Sequence, residues 1–243
     1  MPLTPDLTGR DDLLAKAAQH PYARLTAGER VRAYAQDGAL VWTSRGPAGP
    51  VAASLGEARA AVALFARLAA EDLLDGGVWL HLPRAGQDVT AALRPDVHDD
   101  WDFLWTTVPP AAHPGEQAVE ALGPDDHDGI AAVLDDALPD STSRPGDPRV
   151  RQWYGIREAG RIVAVAGDRS GNGVGFLAGI AVATGAQGRG HGAALTTAVT
   201  RLLVAEFGIS SLGVMSDNIG AIRLYQRLGY TEAMARSTVR LPS

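Results

Sequence analysis

The chain of 243 residues contains no cysteine. That absence excludes disulfide staples, thiolate metal sites and a cysteine nucleophile together, so a packed core must carry the stability unaided. Lysine is nearly missing too: Lys16 stands alone among 22 lysines and arginines, which reads as coding bias rather than chemistry. Long apolar runs are absent. The opening MPLTPDLTGRDD has no basic segment leading into an apolar core, and nowhere do eighteen apolar residues run together, so the expectation is a cytoplasmic chain with no membrane partner. Positive charge is also short: the net charge of −6 argues against nucleic acid as a partner and mildly favours cationic ligands such as amines, although acidity also serves solubility. A calcium loop is tempting in DDHDG at residues 125–129. Pro124 occupies the first ligand position and no glutamate follows at the required distance, so no metal is expected.

What remains is a globular composition, 46% hydrophobic with mean hydropathy near zero at −0.03, in a chain comfortable for two domains. In the first half, 39–43 reads as a strand, 54–70 as a helix, 78–82 as a strand, 88–93 as a short helical piece and 101–108 as a strand. VPPAAHPGEQ at 108–117 holds three prolines and a glycine and suits an exposed connector, which places a boundary between domains at 1–112 and 113–243. The second half reads as a strand at 117–122, a helix capped by Asp125 or Asp126 and running to Leu138, and a hairpin of 152–158 and 161–168 turning at Ala159-Gly160. A strand follows at 176–182, then a long helix ending at Gly208, a strand at 212–215, a helix at 218–228 and an extended segment at 231–241. The fold class is α/β (α+β), a mixed, mostly antiparallel sheet flanked by helices.

The densest feature is VATGAQGRGHGAAL at 182–195, where a strand enters a helix through clustered glycines. Glycine is costly to order, so such clusters mark places where something approaches the main chain closely. Free amides converging at a helix N-terminus, with the helix dipole behind them, suit a phosphate. A Walker loop would need a lysine and a hydroxyl after its last glycine, and the dinucleotide G-x-G-x-x-G spacing does not fit Gly188, Gly190 and Gly192. The stretch reads instead as Val182, then Q-x-x-G-x-G beginning at Gln187.

That pattern resembles the pantetheine-pyrophosphate motif of the GNAT superfamily of N-acetyltransferases, V-x-x-x-x-Q/R-x-x-G-x-G/A. A second motif of the superfamily, N-x-x-A-x-x-x-Y-x-x-x-G-Y/F, is matched by Asn218, Ala221, Tyr225, Gly229 and Tyr230. The resemblance spans about residues 117–241. It implies a sheet splayed between its fourth and fifth strands, with acetyl-CoA in the opening as acyl donor. It further implies that Ile180, Ala181 and Val182 offer backbone hydrogen bonds to pantetheine, that Gln187, Gly188, Arg189, Gly190, His191 and Gly192 wrap the pyrophosphate, and that Asn218 and Ala221 line the pantetheine arm. Tyr225 would bind there and act as the general acid for the departing thiolate. Asn218, Ala221, Ile222 and Tyr225 fall independently on one helical face. With ordinary values near 10 for the phenol and about 8.5 for a thiol, that transfer is uphill by roughly 2 kcal/mol, which a modest shift could cancel. His191, at a variable position of the motif, is not expected to be catalytic.

The pattern breaks in one place. Many members of the superfamily carry a glutamate base on the fourth strand, and FLAGIAV at 176–182 has no carboxylate; either water relays the proton to a more distant group or the base comes from elsewhere, with Asp168 as the first choice and a plain turn role as its rival. In the first half, strand, loop, alanine-rich helix, strand, short helix and strand repeat the later order, which suggests a degenerate copy of the same fold. Its loop SRGPAGPVAASLG lacks the glycine pattern, and Pro47 and Pro50 bring no N–H. His81, Trp101 and Trp105 are candidates for the acceptor wall or for core packing. The expectation is an N-acetyltransferase whose partners are acetyl-CoA and an amine acceptor, with a homodimer allowed. The rival reading is a non-catalytic acyl-CoA-binding protein.

Overall fold

The computed structural model describes residues 3–46 and 49–242; Pro47 lies outside them. In chain order the elements are α1 (Arg10–Lys16), α2 (Pro21–Thr26), β1 (Arg32–Gln36), β2 (Ala39–Gly46), β3 (Gly49–Gly56), α3 (Ala58–Ala70), β4 (Trp79–Pro83), α4 (Gln87–Thr90) and β5 (Val97–Thr106). The second run is β6 (Glu120–Leu122), α5 (His127–Ala137), β7 (Gln152–Glu158), β8 (Arg161–Asp168), β9 (Gly175–Val182), α6 (His191–Phe207), β10 (Ser210–Met215), α7 (Ile219–Arg227) and β11 (Glu232–Arg240). The residues divide into two compact units, one of Met1–Phe103, Met215–Asp217 and Met234–Ser243, the other of Leu104–Val214 and Asn218–Ala233.

In the first unit β1, β2 and β3 form an antiparallel meander, and α3 carries the chain across to β4, which lies parallel to β3. The apolar stripe Ala61, Val62, Leu64, Phe65 and Leu68 of α3 is buried against Val41, Ala52, Leu80 and Leu82. A side chain the size of Phe65, fully buried, contributes roughly 1.5–3 kcal/mol. The sheet is completed from the far end of the sequence: β11 pairs antiparallel with β4, from Arg236↔Pro83 to Arg240↔Trp79. The β3–β4 ladder stops at Ala53↔His81. Just beyond it the fully buried Arg236 spans the two strands, Nη1 donating to the Ser54 carbonyl at 2.7 Å and Nη2 to the His81 carbonyl at 2.8 Å. Its guanidinium also stacks 4.1 Å from the Tyr22 ring centroid.

The expected helix at 54–70 begins four residues later than its sequence suggests. Residues 49–56, expected as part of the loop SRGPAGPVAASLG and the first turn of that helix, form β3 instead, because small residues fit a strand held on both sides by β2 and β4. Strands β1 and β3 and helices α1 and α2 are additions to the sequence reading.

The second unit follows the sequence closely. Strands β6, β7, β8 and β9 are antiparallel neighbours, and Ala159 and Gly160 turn the β7–β8 hairpin with positive φ of 47° and 79°. Helix α6 buries Leu195, Val199 and Leu203 in a core shared with Leu177, Leu212 and Tyr225, while α5 contributes Ile130, Val133 and Leu134 to a second cluster around Trp153. The strand expected at 117–122 is reduced to β6, because Pro114 starts a 3₁₀ turn over Pro114–Ala118.

Candidate active site

Strands β9 and β10 are parallel and paired only at Ser210↔Gly175, Ser211↔Phe176 and Leu212↔Leu177. Beyond Leu177 the ladder ends, so 178–182 have no partner on the β10 side. On the β8 side the register runs Val165↔Ala181 and then Gly167↔Ala178, a bulge that leaves Gly179 and Ile180 opposite the single residue Ala166. The bulge explains the glycine. Gly179 has φ +60°, and a Cβ there would lie 3.0 Å from Trp153 Cη2. The splay leaves 178–182 without a ladder on the β10 side, and the bulge takes Gly179 and Ile180 out of the β8 register as well, while Ala181 and Val182 stay paired with Val165 and Ala164; the backbone groups so released need partners. The stretch 178–182 holds Ile180, Ala181 and Val182.

Strand β9 leads directly into the glycine loop. A 3₁₀ turn over Thr184–Ala186 is tied down by Asp136, whose Oδ2 accepts from the Thr184 N–H at 2.6 Å. Gln187 reaches back to donate to the Val182 carbonyl at 3.2 Å, so its side chain sets the loop's size. Gly188 and Gly190 take φ of +76° and +86°, a region that side chains rarely adopt. The first intrahelical bond of α6 runs from the Ala194 N–H to the Gly190 carbonyl at 3.0 Å, so the amides of His191, Gly192 and Ala193 precede it and face out of the helix end. No acidic residue sits in the first turn to neutralise the dipole. At Gly192 a Cβ would already touch Val182 and Leu224, at 3.6 and 3.7 Å, so larger side chains would intrude on the core. The loop therefore fits an anionic group pressed against its backbone.

Two residues expected at the pyrophosphate are engaged with protein. Arg189 Nη1 donates to Glu158 Oε2 at 2.8 Å and Nη2 to the Gly185 carbonyl at 2.8 Å, while His191 Nε2 lies 2.9 Å from Glu158 Oε1. Glu158, the last residue of β7, thus braces the glycine run from both sides of Gly190. Sequence reading missed this carboxylate because nothing local links position 158 to 189 and 191.

Helix α7 begins at Asn218, whose Oδ1 accepts from the Ala221 N–H at 3.1 Å and caps the helix. Ala221 is half-buried and Tyr225 buried on the inward face. The Tyr225 ring meets Tyr230 edge-on, with centroids 6.1 Å apart. Burial, and then the neighbouring Tyr230, push the Tyr225 phenol well above its ordinary value, so it holds its proton at neutral pH. The shift runs opposite to the one that would ease proton transfer to a thiolate. Tyr230 differs in being satisfied: its hydroxyl lies 2.8 Å from Thr200 Oγ1 and 2.7 Å from Ser210 Oγ, and burial raises it to about 12 against those bonds.

Asp168 closes β8 opposite Leu177, at the paired end of β9 and away from the splay. Its Oδ1 accepts from the Ser170 N–H at 2.8 Å and its Oδ2 from Arg151 at 3.2 Å. Both oxygens are committed. In the first unit His81 and Trp101 meet edge-on at 5.9 Å and share Thr238 Oγ1, at 3.1 and 2.7 Å. Trp105 is half-buried on β5.

Residues 120–230 match the family model of the acetyltransferase (GNAT) family. Over that stretch the chain therefore carries a GNAT acetyltransferase domain, the domain of a family of acyltransferases. No curated protein matches it in sequence. Among solved structures, a GNAT-family protein from Novosphingobium aromaticivorans is similar over 97% of both chains at 22% identity, with a TM-score of 0.60. A GCN5-related N-acetyltransferase from Kribbella flavida matches over 98% of this chain and 97% of its own, at 18% identity and a TM-score of 0.55. One from Sphaerobacter thermophilus covers 85% of this chain and 78% of its own, at 16% identity and 0.54. At these identities the likeness concerns the fold, and it extends over the first unit as well. No helix among the described residues is long and apolar enough to cross a membrane.

Proposed function

We propose that the protein transfers the acetyl group of acetyl-CoA to a primary amine, by direct attack of the amine on the thioester. The observation that carries this is the end of the β9–β10 ladder at Leu177↔Leu212, which leaves backbone free on the same strand that enters the glycine-lined start of α6. In this reading the amides of 188–193 hold the donor's phosphates. Backbone groups of 179–182 hold its amide arm and polarise the thioester carbonyl. Asn218 contacts the arm, and Tyr225 supplies the proton to the departing thiolate. Amine attack requires the free base, and an alkyl amine with a pKa of ~10.4 is neutral rarely at pH 7, a handicap of about 4.6 kcal/mol. With no carboxylate on β9, the proton leaves through water.

We further propose that residues 1–112, which supply most of the first unit, are a degenerate copy of the same fold. The first unit shares the parallel β–α–β crossover, yet only Glu57 separates β3 from α3, where 183–190 separate β9 from α6. The gap beyond its parallel ladder is spanned by Arg236. We assign donor binding to the second unit alone.

Thiol release from acetyl-CoA across a panel of amines, amino-acid derivatives and peptide N-termini tests the reading. Amine-dependent release is the expected result. Tight CoA binding with no release by any acceptor class would make the protein a CoA-binding module instead.

A further inference from the structure

The connector before the second sheet carries a residue that the glycine motif does not include. His113 is the cap of the 3₁₀ turn Pro114–Ala118: its Nδ1 accepts from the Gly115 N–H at 3.0 Å, and its own N–H donates to Glu116 Oε2 at 3.3 Å. This turn is fastened to α6. Arg201 of that helix donates to the Pro110 carbonyl at 2.9 Å and pairs with Glu116 at 3.8 Å, and a Cβ at Gly115 would lie 3.1 Å from Ala194 Cβ. The strapping sets the imidazole beside the helix start. His113 Cε1 lies 4.0 Å from where a Cβ of Gly190 would stand, and Gly190 is the residue that caps α6.

Because Nδ1 is an acceptor, the neutral ring carries its hydrogen on Nε2. Cε1 joins the two nitrogens, so the ring edge at Gly190 is the edge that bears them. Nδ1 is spent on the cap, whereas Nε2–H has no partner among the described residues. A fixed donor therefore stands next to amides that converge on an anion, while Arg189, the expected cation of the loop, is held by Glu158 and Gly185.

We infer that His113 is a donor-binding residue, its Nε2–H directed to a phosphate of the CoA substrate. This rests on the reading of the glycine loop as a phosphate cradle. It goes further by making the segment ahead of the GNAT-matched region part of the binding site, and by making specificity for phosphorylated donors depend on it.

Two substitutions separate binding from capping. His113→Asn keeps an acceptor at the Nδ1 position and is a good cap, but it removes the Nε2 donor. His113→Gln places an amide N–H near the Nε2 position and gives up the cap. Calorimetric titration of the full chain with CoA should show affinity reduced about tenfold in His113→Asn, and wild-type affinity within about twofold in His113→Gln; tenfold corresponds to about 1.4 kcal/mol. The urea midpoint of His113→Asn should equal that of the wild type. Repeating the titration with 3′-dephospho-CoA identifies the phosphate: a His113→Asn deficit that disappears assigns the contact to the 3′-phosphate, and one that persists assigns it to the pyrophosphate. Unchanged CoA affinity in His113→Asn, a loss confined to His113→Gln, or equal losses in both would overturn the assignment. If the wild-type chain binds no CoA, the cradle reading itself falls, an outcome distinct from all of these.

Discussion

Replacing Gly179 by alanine tests whether the β9 bulge is built as described. The new Cβ meets two separate costs. Holding an L-residue at φ +60° costs roughly 1–2 kcal/mol. The methyl also falls 3.0 Å from Trp153 Cη2, 3.3 Å from Cζ3 and 3.5 Å from Ser143 Cβ, and overfilling of this kind costs about 1–3 kcal/mol. Gly179→Ala should therefore lower the unfolding free energy by about 2–5 kcal/mol, measured from urea curves. The two costs separate in a cycle with Trp153→Phe, which withdraws the crowding atoms. It also removes an indole Nε1 that is buried without a partner. The double variant should be less destabilised than the sum of the singles by about 1–2 kcal/mol, leaving the backbone strain behind. A loss below about 0.5 kcal/mol for Gly179→Ala, or strict additivity in the cycle, would refute the bulge geometry and with it the account of how 179–182 come free.

Tyr225→Phe removes a hydroxyl with no hydrogen-bond partner among the described residues, so stability should stay within about 0.5 kcal/mol while kcat falls by about 10²–10⁴-fold; full kcat with a confirmed acceptor would remove the general-acid role. Gly190→Val places a β-branched residue at φ +86°, and calorimetry should find acetyl-CoA affinity lost; a folded variant with unchanged affinity would refute the cradle. Burial raises Tyr230 to about 12, from about 10 in the unfolded chain. Its contribution is therefore complete below pH 10 and is lost as pH climbs from 10 to 12, so phenolate absorbance should appear together with unfolding; free ionisation of all five tyrosines in the folded protein would contradict the burial.

Legibility in the sequence differs between the halves for physical reasons. In the second unit, turn chemistry and side-chain period agree: Ala159-Gly160 marks the hairpin, Gly208 stops α6, and Gly188, Gly190 and Gly229 fall where φ turns positive. In the first unit, local preference and final structure conflict. The stretch SRGPAGPVAASLG reads as a loop from its glycines and prolines, and β3 forms in it only because β2 and β4 pair on both sides, a nonlocal fact. The polar start of β5, Val97-His98-Asp99-Asp100, carries no strand signature, and its order comes from side-chain bonds such as His98 to Thr90 at 3.0 Å and Asp100 to Ser237 at 2.6 Å. At the site, the residue types and spacing of 182–192 and 218–230 were readable one residue at a time. Glu158 and His113 were not, since their roles depend on which distant segments meet.

Strand β11 has a consequence for how the chain is made. Its pairing with β4 joins Arg236 to Pro83 and Arg240 to Trp79, so the first unit's sheet lacks a member until residues 236–240 have been translated. The amino-terminal unit emerges first from the ribosome yet closes last, with Leu80 and Leu82 waiting for Val239 to complete their cluster. A nascent chain stopped before residue 234 should leave that strand edge open to proteases and to other chains, whereas the core of the second unit would already be assembled.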